Sequence, residues 1–257
     1  MKILNVIILI ITFISILFTL YYIYNFCINL DVFEYNNINY TKTLLLIGGV
    51  HGNEQSGTIF LLGLKQQLDN NEINIPNTRV ILLPYVNKCG FIMNLRNLLF
   101  FTDINRNFTD NTKSSINIKI LKYVKMIKNS DLIIDIHEGY DFHRMNYNSI
   151  GSTLYASTEY ANNIINAVYD PLNETIDDPN KKFKLLTYEP NLVNNNRDKY
   201  SLMEKINGTL DYYTYINKIN YILIEITGQK NKQPIELRLS QLALIFTEIY
   251  RSTYSFS

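Results

Sequence analysis

The sequence predicts an α/β chain: a three-layer sandwich whose mixed, largely parallel central sheet is flanked by helices, with a transmembrane helix ahead of it. Two observations carry this expectation. Short, continuous apolar runs of strand length alternate with stretches whose apolar residues recur at helical spacing, the pattern of strands covered on both faces by helices. Separately, no charged residue occurs from Ile3 to Leu30.

That first segment, residues 1–30, is expected to be a membrane anchor. Its core, VIILIITFISILFTLYYIY (Val6 to Tyr24), is apolar all round. As a helix, its 19 residues rise roughly 28 Å, close to the thickness of a bilayer's hydrocarbon core. Tyr21, Tyr22 and Tyr24 cluster at its far end, as interfacial aromatics do, and Lys2 orients the N-terminus toward the cytosol. A cleaved signal peptide is the rival reading, but no small-residue A-x-A site follows the run. A single-pass anchor would leave the remainder lumenal or extracellular. Four N-x-S/T sequons (Asn39, Asn107, Asn173, Asn207) are compatible with that side without deciding it.

Residues 31–42 read as a polar, Asn-rich linker, and 43–257 as a single catalytic domain. Leu44–Gly49 is a buried strand, followed by a helix from Glu54 to about Leu68 with Phe60, Leu61, Leu64 and Leu68 on one face. RVILLP (Arg79–Pro84) is a second strand, and Asn87 to Thr112 is irregular. Residues 113–128 form an amphipathic helix through Ile116, Ile120, Val124 and Ile127. DLIIDI (Asp131–Ile136) is a strand, Ser152–Ala156 a short one, and Glu159–Val168 a helix. Pro171, Pro179 and Pro190 mark 169–199 as loop-rich. YILIEI (Tyr221–Ile226) is the last strand, and Pro234 opens a final helix with Ile235, Leu239, Leu242, Phe246 and Ile249 at core spacing.

Composition narrows the function. The chain is 47% apolar and 13% aromatic, an ordinary folded composition, and its formal net charge of +1 gives no reason to expect a nucleic-acid partner. Cys27 and Cys89 suggest neither a disulfide framework nor a CxxC metal motif.

The chemistry gathers where strands end. In GGVHGNEQSG, His51 and Glu54 leave the first strand three residues apart, close enough to turn one imidazole and one carboxylate toward a single point. H-x-x-E by itself does not specify a metal site, and it differs from the helical H-E-x-x-H. His137, in IIDIHEGYDF, lies just past another strand and supplies the third ligand of an expected His51, Glu54, His137 set for one zinc ion. The three histidines of the chain leave His143 over, read as a solvated loop residue. Glu138 would point away from His137 if the strand continued, so it is set aside.

A hydrolase built on such a metal needs a carboxylate to carry a proton, and Glu225 interrupts an otherwise apolar strand near its end. LRNLLFFTDINRNF (Leu95 to Phe108) adds Arg96, Asp103, Asn105 and Arg106. Arginine suits a substrate carboxylate or a developing oxyanion, and an aspartate suits the support of a ligand histidine.

This combination resembles the zinc carboxypeptidase superfamily, and within it the succinylglutamate desuccinylase/aspartoacylase and murein-peptide amidase branch. GGVHGNEQSG, LPYVNKCG, LRNLLFFTDINRNF, IIDIHEGYDF and YILIEITG occur in the family's order across roughly Thr43 to Tyr250. The resemblance implies the phosphorylase/hydrolase-like sandwich, zinc on His51, Glu54 and His137, and Glu225 as general base. It implies that Arg96 polarises the scissile carbonyl, that Asn105 and Arg106 hold a substrate carboxylate, and that Asp103 supports a ligand histidine.

Two departures bear on specificity. Where carboxypeptidases often read N-P-D-G, this chain reads Asn87-Lys88-Cys89-Gly90. A substrate-capping tyrosine is not assigned among Tyr188, Tyr200, Tyr212 and Tyr213. The extra β-rich C-terminal domain of aspartoacylases is expected to be missing or much reduced. The implied function is zinc-dependent cleavage of an amide near a free carboxylate, by metal-activated water with a glutamate base. HGNE with DIHEG points to a deacylase of small N-acyl amino acids; the missing domain, which would narrow the pocket, points to a metallocarboxypeptidase trimming peptide C-termini. The third expectation, a catalytically dead membrane-anchored binding scaffold, should lack a ligand or the base, and this sequence has all of them.

Overall fold

The sheet of this protein reverses its direction of growth at one strand, and that reversal positions the site. The structure, a computed structural model, describes residues 2–36, 38–97, 103–128, 130–195 and 199–254. The strands are β1 (Phe33–Tyr35), β2 (Lys42–Gly48), β3 (Thr78–Leu83), β4 (Leu132–Gly139), β5 (Thr153–Ala156), β6 (Lys184–Thr187), β7 (Tyr200–Leu202) and β8 (Tyr221–Thr227). They form one eight-stranded sheet in the order β1-β3-β2-β4-β8-β5-β6-β7. Strands β3, β2, β4 and β8 run parallel, β1 and β5 pair antiparallel to their neighbours β3 and β8, and β6 and β7 run parallel to β5. The expected mixed, largely parallel α/β sheet is therefore present. From β2 the chain crosses to β3 on one side, and β4 then pairs with β2 on the other. Open parallel sheets hold their sites in the crevice at such a switch, beyond the carboxyl ends of the strands.

Period-two alternation divides the strand residues between two cores. Leu44 and Leu46 of β2, Ile134 and Ile136 of β4 and Ile222, Ile224 and Ile226 of β8 face helices α2 (Gln55–Asp69), α5 (Glu159–Glu174) and α8 (Ile235–Tyr254). Leu45, Ile47, Ile133, Tyr221 and Leu223 face the opposite way, toward α4 (Ser115–Val124) and α7 (Leu210–Ile216). Each such buried Leu or Ile contributes about 1.5–3 kcal/mol of apolar transfer. The same alternation puts Asp135 and His137 of β4, and Glu225 of β8, on the α4/α7 side.

Several expectations are corrected. β4 runs on to Gly139, so His137 lies inside the strand rather than past it. The stretch 31–42 contributes β1 to the sheet edge instead of serving only as a linker. The irregular stretch after Asn87 contains a short helix, α3 (Lys88–Met93), and a 3-10 turn (Ile104–Arg106). The centre of the LRNLLFFTDINRNF motif, residues 98–102, lies outside the described residues. Helix α5 continues through Pro171 to Glu174, because Val168, Tyr169 and Leu172 extend its buried face. The loop-rich reading of 169–199 thus gives way to the end of α5, then β6 and α6 (Pro190–Asn195).

Helix α1 (Lys2–Ile28) carries the charge-free run, with every side chain from Leu4 to Phe26 exposed. It is long and apolar enough to cross a membrane. Its last turn is fixed to the rest of the chain. Cys27 is fully buried and forms a disulfide with Cys89 of α3, with 5.2 Å between the Cα atoms. This pairing corrects the expectation that Cys27 and Cys89 suggest no disulfide framework; they are 62 residues apart, and the docking of α1 on α3 brings them together.

Candidate metal centre

Residues 49–54 carry the chain from β2 into α2. Gly52 lies directly on the backbone of Gly90, where a Cβ would overlap, so the H-G-N-E turn is packed against α3. Glu54 occupies the N-cap position of α2, yet its carboxylate makes no capping bond. It turns to the imidazoles instead. Glu54 Oε1 is 2.9 Å from His51 Nδ1, Glu54 Oε2 is 3.0 Å from His137 Nδ1, and the two Nδ1 atoms are 3.2 Å apart.

One ligand atom from each of His51, Glu54 and His137 falls within 4.8 Å of the others, and all three side chains are buried. Each imidazole has a carboxylate behind its other nitrogen. Asp103 Oδ1 is 3.2 Å from His51 Nε2, and Asp135 Oδ2 is 3.3 Å from His137 Nε2. Two nitrogens and one carboxylate, with both rings held by outer carboxylates, is the donor arrangement of a catalytic metal site with an open position. The residues fit a metal ion.

Electrostatics separate the two carboxylates of the centre. Burial would raise Glu54, but the His51 charge and hydrogen bonds from both imidazoles hold it well below the usual carboxylate range. Glu225 is pushed the other way. Its burial lifts the carboxyl well above the ordinary value, against the opposing pull of His137, and Glu54, Asp135 and Asp211 add to the rise. The two carboxylates are thus driven apart by their surroundings, Glu54 toward the charged form and Glu225 toward the neutral one. Glu225 is the direct β8 partner of His137 on β4, a position about 5 Å across the sheet.

All of these side chains except Asp103 and Asp135 border one cavity of about 360 Å³, which Arg96, Asn105 and Arg106 also line. Arg96 Nη1 donates to Glu54 Oε1 at 3.0 Å, and its Nη2 lies 3.5 Å from Asp103 Oδ2. Asn105 Oδ1 accepts from the Leu210 N–H at 2.9 Å, so its Nδ2 amide is the end that remains for a ligand. Arg106 Nη1 donates to the Asn105 carbonyl at 2.6 Å. The structure therefore brings His51, Glu54, His137, Glu225, Arg96, Asn105 and Arg106 to one place, with Asp103 behind His51.

Residues passed over in the sequence also take part. Asp135 is fully buried and accepts from the Tyr221 hydroxyl at 3.0 Å as well as facing His137. Its place two residues before His137 in one strand was the signal that could have found it. Gln229, just after β8, donates to Glu54 Oε1 at 3.1 Å and to the Glu138 carbonyl at 2.5 Å. Asp211 at the start of α7 reaches the cavity and is hydrogen-bonded by Tyr188. Nothing in the local sequence announced the last two.

Glu138 points to the opposite side of β4, where its carboxylate accepts from Ser56 N–H at 2.7 Å and from Arg238 Nη1 at 2.7 Å. His143 is not solvated: it is 5% exposed, with Nδ1 2.6 Å from the Ser149 carbonyl, because the 140–151 loop folds back on itself. Among the described residues, the tyrosine that lines the cavity is Tyr140. The four capping candidates lie elsewhere: Tyr188 on Asp211, Tyr200 on Asn166, Tyr213 on Asp110, and Tyr212 stacked on Tyr215.

Residues 40–164 match the family model of the succinylglutamate desuccinylase/aspartoacylase catalytic domain, which bears out the resemblance carried by the motifs. Solved structures share the fold. Product-bound Cell Shape Determinant protein Csd4 from Helicobacter pylori aligns over 88% of this chain and 55% of its own, with 15% identity and a TM-score of 0.66. The mDAP-bound form of Csd4, described as a D,L-carboxypeptidase, aligns over 86% and 54%, with 16% identity and a TM-score of 0.63. An aspartoacylase family protein from Mesorhizobium loti aligns over 86% and 61%, with 17% identity and a TM-score of 0.55. The chain thus spans little more than half the length of Csd4. No curated protein matches the sequence.

Proposed function

We propose that this chain, whose residues 40–164 carry the succinylglutamate desuccinylase/aspartoacylase catalytic-domain pattern, is a zinc-dependent amidohydrolase that cleaves an amide bond close to a free carboxylate. The observation that carries the proposal is the convergence of His51, Glu54 and His137 with Glu225 set directly across the sheet from His137. Zinc is the ion that two imidazoles and one carboxylate suit best; bound there, it would act as a Lewis acid toward a carbonyl and make water acidic at neutral pH.

The protein's own groups do the rest. Glu225 takes a proton from the attacking water and passes it to the leaving nitrogen. Burial makes that carboxylate reluctant to stay charged, so its basicity suits both transfers. Arg96, held at the rim by Glu54 and Asp103, donates to the carbonyl oxygen as negative charge grows on it. Arg106 and the Nδ2 of Asn105 hold the substrate carboxylate. Asp103 and Asp135 fix the tautomer and orientation of the two histidines.

Two substrate classes fit a cavity of this size: a small N-acyl amino acid, or the C-terminus of a peptide. The family pattern favours the deacylase reading. The carboxypeptidase reading draws support from Csd4, which shares the fold and is described in peptide-bound form.

The N-terminal segment 1–30 is read as the membrane anchor, with the catalytic part on the lumenal or extracellular side. The Cys27–Cys89 disulfide supports that side, since such bonds persist in oxidising compartments.

The test is amine release by the zinc-loaded full chain in detergent, from a panel of C-terminally free peptides and N-acyl amino acids. Release that disappears in Glu225→Gln supports the enzyme, and the class consumed chooses between the two readings. Zinc-loaded protein that releases nothing from either class would instead favour a binding scaffold.

A further inference from the structure

We propose that Ile92, Met93 and Leu95 rest in the headgroup region of the membrane that α1 crosses, so that the active-site cavity is held at the bilayer surface and takes substrates presented there. The proposal rests on the reading of α1 as a membrane span.

The length of α1 sets the depth. Its 27 residues rise roughly 40 Å, beyond the roughly 30 Å of a hydrocarbon core. With Tyr21, Tyr22 and Tyr24 at the interface, Cys27 comes about one helical turn further out, among the headgroups.

Two attachments carry that depth over to α3, and a third ties the end of α1 to α4. Cys27 is bonded to Cys89, Lys88 Nζ pairs with Asp31 at 2.6 Å while lying 4.7 Å from the Phe26 ring centre, and Lys119 Nζ donates to the Ile28 carbonyl at 3.0 Å. The exit of the helix therefore has no freedom to swing away from α3.

Just beyond Cys89 the chain exposes three large apolar side chains in four residues. Ile92 is 65% exposed, Met93 46% and Leu95 52%. At about 1.5 Å rise per residue, Ile92 stands roughly 5 Å along α3 from the disulfide. An apolar cluster at that height beside a span is placed to sink into the boundary between headgroups and acyl chains, as interfacial segments do. Its occupant is the bilayer itself, because the cluster continues the apolar surface of α1 through a covalent bond.

The same segment leads into the cavity. Arg96 follows Leu95 and lines the cavity, and its carbonyl accepts from Asn87 Nδ2 at 3.0 Å and from Gly52 N–H at 3.3 Å, in the turn that carries His51. Fixing Ile92 to Leu95 at the interface fixes the cavity rim beside it. Substrates that are themselves membrane-attached would meet the site without leaving the surface.

The chain contains no tryptophan, so single substitutions give site-specific probes in the full-length protein. Phe13→Trp reports the span, Ile92→Trp the proposed contact, and Tyr160→Trp, exposed at the start of α5 beside the amino ends of β4 and β8, the end of the sheet away from α3. Each is reconstituted into phosphatidylcholine vesicles with lipids brominated either near the headgroup or deep in the chain. The expected result is loss of Phe13→Trp emission with deep bromines, loss of Ile92→Trp emission with shallow bromines, and no loss for Tyr160→Trp. Quenching of Phe13→Trp with undiminished Ile92→Trp emission overturns the contact and leaves the anchor standing. Unquenched Phe13→Trp overturns the anchor and the contact together. Equal quenching at Ile92→Trp and Tyr160→Trp overturns the proposed orientation.

Discussion

Asp135 and His137 stand two residues apart on β4, and their side chains meet on one face of the sheet, Asp135 Oδ2 lying 3.3 Å from His137 Nε2. In a strand, residues i and i+2 share a face, so the proposed ligand and its support come from a three-residue stretch. Removing the support should loosen the ligand. Asp135→Ala is expected to weaken metal binding by about 10- to 100-fold with the fold retained. Competition against a chelator of known affinity measures this, and unchanged affinity would show that His137 is positioned by something else.

His51 tests the centre more bluntly. With one of the three proposed ligands gone, purified His51→Ala should carry little metal after dialysis, as read by elemental analysis. A variant that keeps a full equivalent would mean that the ion is held by other residues.

Glu225→Gln preserves size and shape while removing the proposed proton carrier. Metal content should stay at the level of the unaltered protein, and turnover should fall by about 10²- to 10⁴-fold. Full activity in this variant would place the base elsewhere in the cavity.

Asp211 links pH to stability. Burial raises its carboxyl above the ordinary value, against hydrogen bonds from Tyr188 and Thr209. A group raised on folding contributes stability that is complete below its unfolded pKa, and that contribution is lost as pH climbs through the folded one. Asp211→Asn should therefore gain on the unaltered protein as pH rises from the ordinary carboxylate range toward neutrality. Urea unfolding of both proteins at several pH values gives the comparison; parallel curves would count against the burial argument.

The Cys27–Cys89 bond closes a loop of 62 residues. Chain entropy assigns a bond of that span about 4 kcal/mol. Denaturant unfolding with and without reductant, or with both cysteines changed to serine, should show a large fall in the midpoint. An unmoved midpoint would mean that the remaining contacts of α1 suffice.

The sequence made the central strands and their cargo legible because both depend on local pattern. Leu44 to Ile47, Leu132 to Ile134 and Tyr221 to Ile224 are apolar without interruption, and His51, His137 and Glu225 stand out at or just beyond the ends of those runs. Asp135 was hidden by its company, an acidic residue inside an apolar run whose role appears only once β4 is seen to extend past it. β1, β6 and β7 span three or four residues each, too few to show a period, and they exist because a neighbouring strand offers a ladder. Asp211 and Gln229 reach the cavity from a seven-residue helix and a turn whose placement comes entirely from the tertiary fold. The disulfide needed two distant segments to dock before either cysteine had a partner.

Under the proposed function, the pairing of His137 with Glu225 makes catalytic competence a by-product of sheet assembly. If β8 slid past β4 by one residue, Glu225 would turn from the cavity to the opposite core and meet the side of the sheet that holds Arg238. Such a molecule would keep its secondary structure and much of its bulk compactness, yet do no chemistry. Specific activity after refolding would then count correctly matched strands molecule by molecule, an audit that circular dichroism cannot perform.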